Sequence, residues 1–241
     1  NYSITEQIEM AKERVSTKIK NGKYIAYFQS FTNTYGNVDY LEKIFTEAIN
    51  HPDIVCLSIG TRPDCLPDDV IDLLNRLNKI KPVWIELGLQ TIHEDTATYI
   101  NRGYTLNIFD DAVSKLNAIG VEVIVHLILG LPYETESDIL ESVSYVCNKP
   151  ISGIKLQLLH ILKNTPLEKE YLLNKFHVFS LEEYTTLLGK CICTIPKNIV
   201  IHRITGDGPK SLLIAPQWSA DKKRVLNYIN KYFNDMDIIQ G

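Results

Sequence analysis

The chain has 241 residues, of which 45% are hydrophobic and 22% charged, and its formal net charge is -4 at pH 7. Such a chain buries a sizeable core as one α/β domain, or as a large domain with a small appendage, which excludes an intrinsically disordered protein. The slightly acidic balance argues against a broad nucleic-acid-binding surface, although a local basic patch stays possible.

The distribution of apolar residues and cysteines indicates the cellular compartment of the protein. No run of the sequence approaches the ~18 apolar residues that a transmembrane helix needs, and the polar first residues do not resemble a signal peptide. Five cysteines make an odd number without a CxxC pair, which argues against a disulfide framework or a zinc knuckle. We therefore predict a cytoplasmic protein that does not enter a membrane.

Apolar strand patterns alternate with amphipathic helix patterns through the first 170 residues. The predicted helices are residues 3–21, 38–50, 67–78, 93–101, 107–118 and 137–148. The predicted strands are residues 24–29, 53–60, 82–90, 121–129 and 153–162. This alternation predicts parallel strands joined by right-handed crossovers. No G-x-G-x-x-G follows the first strand, so a barrel, complete or incomplete, is favoured over a dinucleotide-binding doubly wound sheet.

Beyond residue 170 the alternation loosens. We predict a helix at residues 181–193, a strand at 198–205, a proline-broken apolar segment at 212–218 and a helix at 220–236. No Pro/Ser/Gly-rich linker precedes this part. We therefore predict a barrel domain at residues 1–170 and a C-terminal extension at residues 171–241 that packs on it.

One face of several predicted strands becomes polar toward the carboxyl end of the strand. Side chains two positions apart in a strand share a face. The residues that share a face in this way are Cys56, Ser58, Gly60 and Arg62; Glu86, Gly88 and Gln90; Ile124, His126, Ile128 and Gly130; and Lys155 and Gln157. In barrel enzymes the chemistry lies at the carboxyl ends of the strands. This pattern predicts a polar ligand site there, although His126 taken alone could equally be a satisfied core histidine.

Six segments, taken in order, carry a family resemblance. They are residues 25–35 (IAYFQSFTNTY), 57–65 (LSIGTRPDC), 84–90 (WIELGLQ), 100–103 (INRG), 126–132 (HLILGLP) and 201–209 (IHRITGDGP). Together they resemble the radical S-adenosylmethionine (SAM) superfamily, and within it the elongator-catalytic-subunit-like group of bacterial Fe–S oxidoreductases. The resemblance implies an α/β fold: a partial (β/α)6 TIM-like barrel of parallel strands, with SAM and a 4Fe–4S cluster at its carboxyl-end mouth.

The resemblance also implies a set of SAM-binding positions. The end of the first strand would meet the methionine amino group, two later polar positions would hold the ribose and the carboxylate, and the segment after His126 would flank adenine. The implied cofactor-binding residues are Gln29, Ser30, Arg62, Glu86, Gln90, Arg102, His126, Ile128 and Gly130. A zwitterionic amino acid and a ribose diol need acceptors, an arginine and hydrogen-bonding side chains of this kind.

The chain departs from the family at the cluster. The C-x-x-x-C-x-x-C loop is absent, and Cys191-x-Cys193 has neither its place nor its spacing. Because the chain also begins with Asn, we expect that it lacks an N-terminal region with the first strand and the cluster loop. As given, it would be inactive. The parent enzyme would cleave SAM with electrons from a reductant such as flavodoxin or ferredoxin, and the fragment would cover the open edge of residues 24–29 by dimerising or by swapping an element.

The substrate and two rival functions stay open. Elongator-like relatives act on the wobble uridine of tRNA, which implies a tRNA substrate for the parent. The candidate substrate residues are Lys155, His160, Lys163, His202, Arg203 and Asp207. One alternative is a metal-dependent barrel hydrolase with His126, His160 and His202 as zinc ligands, together with a carboxylate such as Glu86 or Asp207. The other is a non-catalytic binding barrel.

Overall fold

The computed structural model of the protein describes residues 2–17, 22–206 and 208–241. The helices are α1 (Ile4–Val15), α2 (Val38–Asn50), α3 (Asp68–Asn78), α4 (Glu94–Tyr99), α5 (Leu106–Ala118), α6 (Glu136–Cys147), α7 (Pro166–Leu172), α8 (Leu181–Thr194) and α9 (Lys222–Asp235). The strands are β1 (Tyr24–Phe28), β2 (Ile54–Thr61), β3 (Val83–Gln90), β4 (Glu122–Leu129), β5 (Gly153–Leu158), β6 (Ile161–Leu162), β7 (Val200–Arg203) and β8 (Leu213–Ala215). Short 3₁₀ helices occupy Pro63–Cys65 and Gln217–Ala220. Within this described part, no helix combines the length and the apolar character that crossing a bilayer requires.

Six strands form the main sheet, in the order β1-β2-β3-β4-β5-β7. β1 pairs in parallel with β2, β2 with β3, and β5 with β7. Five of these strands belong to the predicted barrel, whereas β7 comes from the predicted C-terminal extension. The extension therefore contributes a strand to the sheet.

The predicted single strand at residues 153–162 is wrong. It divides into β5 and β6, and β6 pairs antiparallel with β8 in a separate two-stranded sheet. The sequence does not show this break, because β6 pairs with β8, which lies far along the chain and leaves no local signal. His160 consequently lies between two strands and not at the end of one. Helix α7 was also not predicted.

Helix starts follow their capping residues. At α1 the Ser3 side chain accepts from the backbone of Glu6, and the Glu6 carboxylate accepts from the backbone of Ser3, as the spacing predicts. Thr135 forms the same arrangement with Asp138 at α6. The predicted helix at residues 3–21 is too long at its end, since α1 stops at Val15. Residues 18–21 of that prediction lie outside the described part of the chain.

The chain divides into two compact units, each with its own core. The first unit comprises Asn1–Leu89 and Leu106–Ile124, and the second comprises Gln90–Thr105 and Val125–Gly241. Fully buried side chains of the first unit include Phe45, Leu57, Ile59, Leu73, Leu74 and Ile85. Part of the core of the second unit is the buried cluster of Leu131, Leu159, Ile161 and Ala215. The predicted domain boundary at residue 170 stays a prediction.

Candidate functional site

In the first unit, Glu86 is the centre of a buried hydrogen-bond group. Its side chain lies on β3 and the residue is only 4% exposed. The Tyr27 hydroxyl on β1 donates to Oε2 at 2.7 Å, and the Ser58 hydroxyl on β2 donates to Oε1 at 2.7 Å. One carboxylate oxygen thus accepts from the adjacent strand β2 and the other from β1, one strand further, which holds the acidic group in place. Tyr27 and Ser58 are partners that a search for SAM contacts in the sequence does not reveal.

The loop after β1 has an unusual backbone that its own side chains secure. Ser30 and Phe31 have φ angles of 74° and 61°, in the left-handed region that costs an L-residue of order 1 kcal/mol. The Asn33 amide donates to the carbonyl oxygens of Phe28, Ser30 and Gly60. Gln29, at the start of this loop, and Ser30 are both exposed. The loop therefore holds a fixed backbone conformation at the carboxyl end of β1.

Arg62 lies just beyond β2 in an ion pair. Its guanidinium donates twice to Asp64, at 2.9 Å from Nε and 2.7 Å from Nη2, and its side chain is 40% exposed. The Arg62 guanidinium also lowers the pKa of the Asp64 carboxyl below its usual range. The predicted contact of Arg62 with SAM stays a prediction, and it would require this arginine to serve the carboxylate of SAM besides that of Asp64.

In the second unit, His126 forms a pair with Gln157. The Gln157 amide nitrogen on β5 lies 3.1 Å from Nδ1 of His126 on β4. Because an amide nitrogen only donates, Nδ1 accepts, and a neutral imidazole then carries its proton on Nε2. The sequence predicts only that Gln157 shares a face of β5 with Lys155. That Gln157 orients His126 follows from the position of β5 beside β4 in the sheet.

Arg102 is buried, and its guanidinium binds backbone oxygens of the loop that contains it. Its side chain is 2% exposed. The guanidinium donates to the backbone oxygens of Thr91 at 2.6 Å and Tyr104 at 2.9 Å, and to the Glu94 carboxylate at 3.2 Å. It also lies 4.8 Å from the centre of the Tyr104 ring. These contacts close the segment that begins at Gln90, whose φ of 71° is left-handed. We infer a positioning role for Arg102, whereas its direct contact with SAM stays a prediction.

The turn after β4 is fixed by close packing and by a carboxyl group. Gly130 has a φ of 89°, and a Cβ at this position would lie 3.0 Å from the Phe179 ring. Four residues on, Glu134 accepts a 2.5 Å hydrogen bond from the Thr91 hydroxyl. Burial raises the pKa of the Glu134 carboxyl above its usual value. Ile128 packs against the apolar cluster of the second unit. The segments around Gln90 and Gly130 are therefore joined within this unit.

The candidate substrate residues do not share one environment. Lys155 is 7% exposed and is the register partner of Arg203 across β5 and β7. Lys163 and His202 are exposed. The His160 ring lies against Gly206 and Gly208, where a Cβ would come within 2.7 Å and 2.6 Å of it. Asp207 lies outside the described residues. Lys155 and Arg203 thus lie side by side on neighbouring strands.

Comparison with known proteins identifies the family. The sequence model of the radical SAM superfamily matches residues 2–146, and that of the radical SAM C-terminal domain matches residues 151–235. The chain belongs to the radical SAM superfamily.

Two bacterial proteins and an elongator subunit are among the relatives of this radical SAM chain. It is 45% identical over 235 residues to the uncharacterized protein YtqA of Bacillus subtilis (strain 168), covering 98% of this chain and 73% of that protein. It is 34% identical over 234 residues to the protein YhcC of Escherichia coli (strain K12), covering 97% and 75%. It is 24% identical over 185 residues to elongator complex protein 3 of Mus musculus, covering 75% of this chain and 32% of that protein.

A solved structure shows the same fold. The archaeal Methanocaldococcus infernus Elp3 with an N-terminal deletion superposes with a TM-score of 0.80 at 18% identity, over 98% of this chain and 59% of that chain. The predicted α/β fold with the parallel partial barrel of radical SAM proteins is therefore confirmed. The predicted resemblance to the elongator-like group is confirmed as well.

The residues of this radical SAM chain do not fit a 4Fe–4S cluster. Cluster iron is held by thiolates that share one site. No cysteine belongs to any group of potential metal ligands in the described residues, which include all five cysteines. Burial raises the pKa of Cys56 and Cys147 to about 11 and that of Cys191 to about 12, which keeps these thiols protonated. These five cysteines therefore do not form a ligand set for a cluster.

The zinc-hydrolase alternative gains no support from the second unit. His126, His160 and His202 all belong to this unit, yet within its described residues they form no common group of potential metal ligands. The Nδ1 atom of His126 faces an amide nitrogen and not another ligand. Asp207, one of the proposed carboxylates, lies outside the described residues.

Proposed function

We propose that this chain is the SAM-binding part of a radical SAM enzyme. The observation that carries the proposal is the His126–Gln157 pair, which presents an oriented imidazole on β4; His126 lies in the superfamily match and Gln157 in the match to the C-terminal domain. An oriented imidazole and a primary amide are the kind of donors and acceptors that a ribose diol requires. The donor set of the second unit therefore fits the nucleoside part of SAM.

Each of the implied residues has a distinct task in this proposal. Gln90 and His126 bind the ribose, Gln157 orients His126, and Arg102 holds the segment that carries Gln90. Gly130 lies in the segment proposed to flank the adenine, and the absence of a side chain there leaves room for the Phe179 ring. The SAM contacts that the resemblance implies in the first unit, Gln29, Ser30, Arg62 and Glu86, stay predictions. SAM, when bound beside a reduced 4Fe–4S cluster, supplies a 5′-deoxyadenosyl radical, and the protein supplies positioning.

Binding of SAM to the chain tests this proposal. Isothermal titration with SAM is expected to show one site, which His126→Ala weakens at least tenfold because a ribose hydrogen bond is lost, about 1.4 kcal/mol or more. Gln157→Ala is expected to give a smaller loss, since the imidazole stays but turns more freely. His177→Ala is the histidine control, because the described contacts of this exposed ring are with Glu183 and Phe179 and not with Gln157. Equal SAM affinity in His126→Ala and the native chain would contradict the proposal.

The cysteine geometry predicts what this chain does on its own. Reconstituted with iron and sulfide under anaerobic conditions, it is expected to take up less than one cluster per chain and to release no 5′-deoxyadenosine. The measurement is iron and sulfide content with electron paramagnetic resonance, together with chromatography of the nucleoside products. A reducible cluster at full occupancy on these five cysteines would overturn this expectation.

For the substrate, we propose a tRNA nucleoside, with the wobble uridine as the first candidate. The similarity to elongator complex protein 3 over 75% of this chain supports this choice. Mass spectrometry of tRNA nucleosides from a strain without the gene is expected to show one modified uridine missing. An unchanged nucleoside profile would contradict the tRNA assignment.

The edge of β1 gives a further proposal on assembly. β1 is the first strand in the order of the described sheet. It borders a groove of about 600 Å³ that residues of α1 and α2 also line. Ile25 and Tyr27 are 43% and 37% exposed there. We expect a second copy to cover this edge, because open edges tend to pair. Light scattering should give a dimer that Ile25→Lys converts to a monomer, with Val55→Lys as control; a monomeric native chain would contradict it.

A further inference from the structure

A cluster of potential metal ligands lies in the second unit, beside the segment that Arg102 closes. It consists of His93, Asp138 and Glu141, and one ligand atom from each lies within 4.8 Å of the other two. His93 is the residue before α4, whereas Asp138 and Glu141 are three positions apart on α6 and therefore share a face of the helix. The cluster thus joins the start of one helix to the first turns of another.

The Asp138 carboxylate is already oriented toward the histidine. Its Oδ2 atom accepts from the backbone and the hydroxyl of Thr135, both at 2.7 Å. Its Oδ1 atom lies 4.0 Å from Nε2 of His93. Bonds of about 2.0–2.2 Å from a tetrahedral ion place two ligand atoms about 3.4 Å apart. A closure of about 0.6 Å therefore suffices, and Thr135 acts as the outer hydrogen-bond partner that metal carboxylates usually have.

The Nε2 atom of His93 is the ring nitrogen that would bind the ion, and it would first have to lose its proton. Nε2 of His93 lies 2.9 Å from the backbone oxygen of Asp138, to which it donates its proton. Coordination requires a deprotonated ring nitrogen, so a bound ion replaces this proton and leaves the carbonyl oxygen close by. The imidazole and two carboxylates are a donor set that first-row divalent ions accept.

Comparison with a similar group in the first unit shows what distinguishes this cluster. Glu9, His51 and Asp53 also approach one another, but the Lys12 ammonium lies among them, 2.7 Å from both carboxylates. A cation therefore already compensates that group. The hydrogen bonds and ion pairs of His93 and Asp138 involve no lysine or arginine in the described part of the chain.

We propose that His93, Asp138 and Glu141 form a binding site for a divalent transition-metal ion of the zinc class. The ion would tie the segment between Gln90 and Arg102 to α6, and so stabilise both neighbours of the nucleoside site. The inference does not depend on the proposed function, because metal binding here requires neither SAM nor a cluster.

Titration of the native chain with Co²⁺, followed by visible absorption, tests this site. One Co²⁺ per chain is expected, with d–d bands and without the sulfur-to-cobalt bands that a thiolate site would give. Glu141→Gln is expected to weaken binding at least tenfold and His93→Asn about 100-fold, since both remove a ligand. Glu141 is exposed, so its substitution leaves the fold intact.

His177→Asn is the matched control, because His177 lies 2.9 Å from a single carboxylate, that of Glu183, and should leave Co²⁺ binding unchanged. Zn²⁺ should displace Co²⁺ and raise the unfolding temperature of the native chain but not of Glu141→Gln. Bands that persist unchanged in His93→Asn, sulfur-to-cobalt bands, or absence of Co²⁺ binding would each overturn the proposal.

Discussion

Replacing Arg102 with alanine is expected to lower the free energy of unfolding by about 3 kcal/mol, because buried carbonyl oxygens lose charged donors. The guanidinium serves the backbone of Thr91 and Tyr104 and the carboxylate of Glu94. Arg102→Lys is expected to recover little of the loss, since one ammonium cannot reach three separate acceptors. The measurement is urea unfolding followed by circular dichroism.

The control for Arg102 is Arg62→Ala, which removes an exposed ion pair with Asp64 and should cost under about 1 kcal/mol. A second readout separates positioning from direct binding. If Arg102 acts only through the segment that carries Gln90, its loss should weaken SAM binding in proportion to the loosening of that segment, which hydrogen exchange measures. Loss of SAM affinity without faster exchange would instead establish a direct contact.

Replacing Glu86 with leucine is expected to cost about 2–4 kcal/mol, because the buried Ser58 hydroxyl and the Tyr27 hydroxyl lose their acceptor. Glu86→Gln should cost less, since its amide oxygen still accepts one hydroxyl. Replacing the whole group, as Tyr27→Phe, Ser58→Ala and Glu86→Leu together, should recover part of the loss, because no polar partner is then left unsatisfied.

Thermal and urea unfolding of these three variants, together with their SAM affinity, show whether Glu86 stabilises the sheet or serves the ligand. A stable Glu86→Leu protein with lost SAM affinity would show that the carboxylate serves the ligand and not the sheet. A triple variant less stable than Glu86→Leu would contradict the account of this group, since it would mean that Tyr27 and Ser58 stabilise the sheet independently of the carboxylate.

Local periodicity and capping chemistry predict most of the elements. The pattern of apolar residues at helical spacing gives α2 at residues 38–50, and the Ser3–Glu6 spacing gives the start of α1. These features depend on residues close together in the sequence. The break between β5 and β6 could not be predicted, because it depends on the pairing of β6 with β8.

The sequence singles out site residues but does not reveal their partners. The strand pattern places His126 on β4, and the Ile100–Gly103 motif singles out Arg102, which lies between α4 and α5. The acceptors of Arg102 include backbone oxygens, which carry no sequence signature. Gln157 is separated from His126 by 31 residues, so their contact follows from strand neighbourhood and not from spacing. The role of each residue therefore follows from the packing of the second unit.

The most direct test of the central claim uses the full-length product of the gene that encodes this chain. It is reconstituted anaerobically with iron and sulfide, reduced, and supplied with SAM. Radical SAM chemistry predicts a 4Fe–4S signal and release of 5′-deoxyadenosine, both of which should fall when His126 is replaced by alanine. A fully loaded and reducible cluster with no SAM cleavage would contradict the claim and would make this a binding barrel.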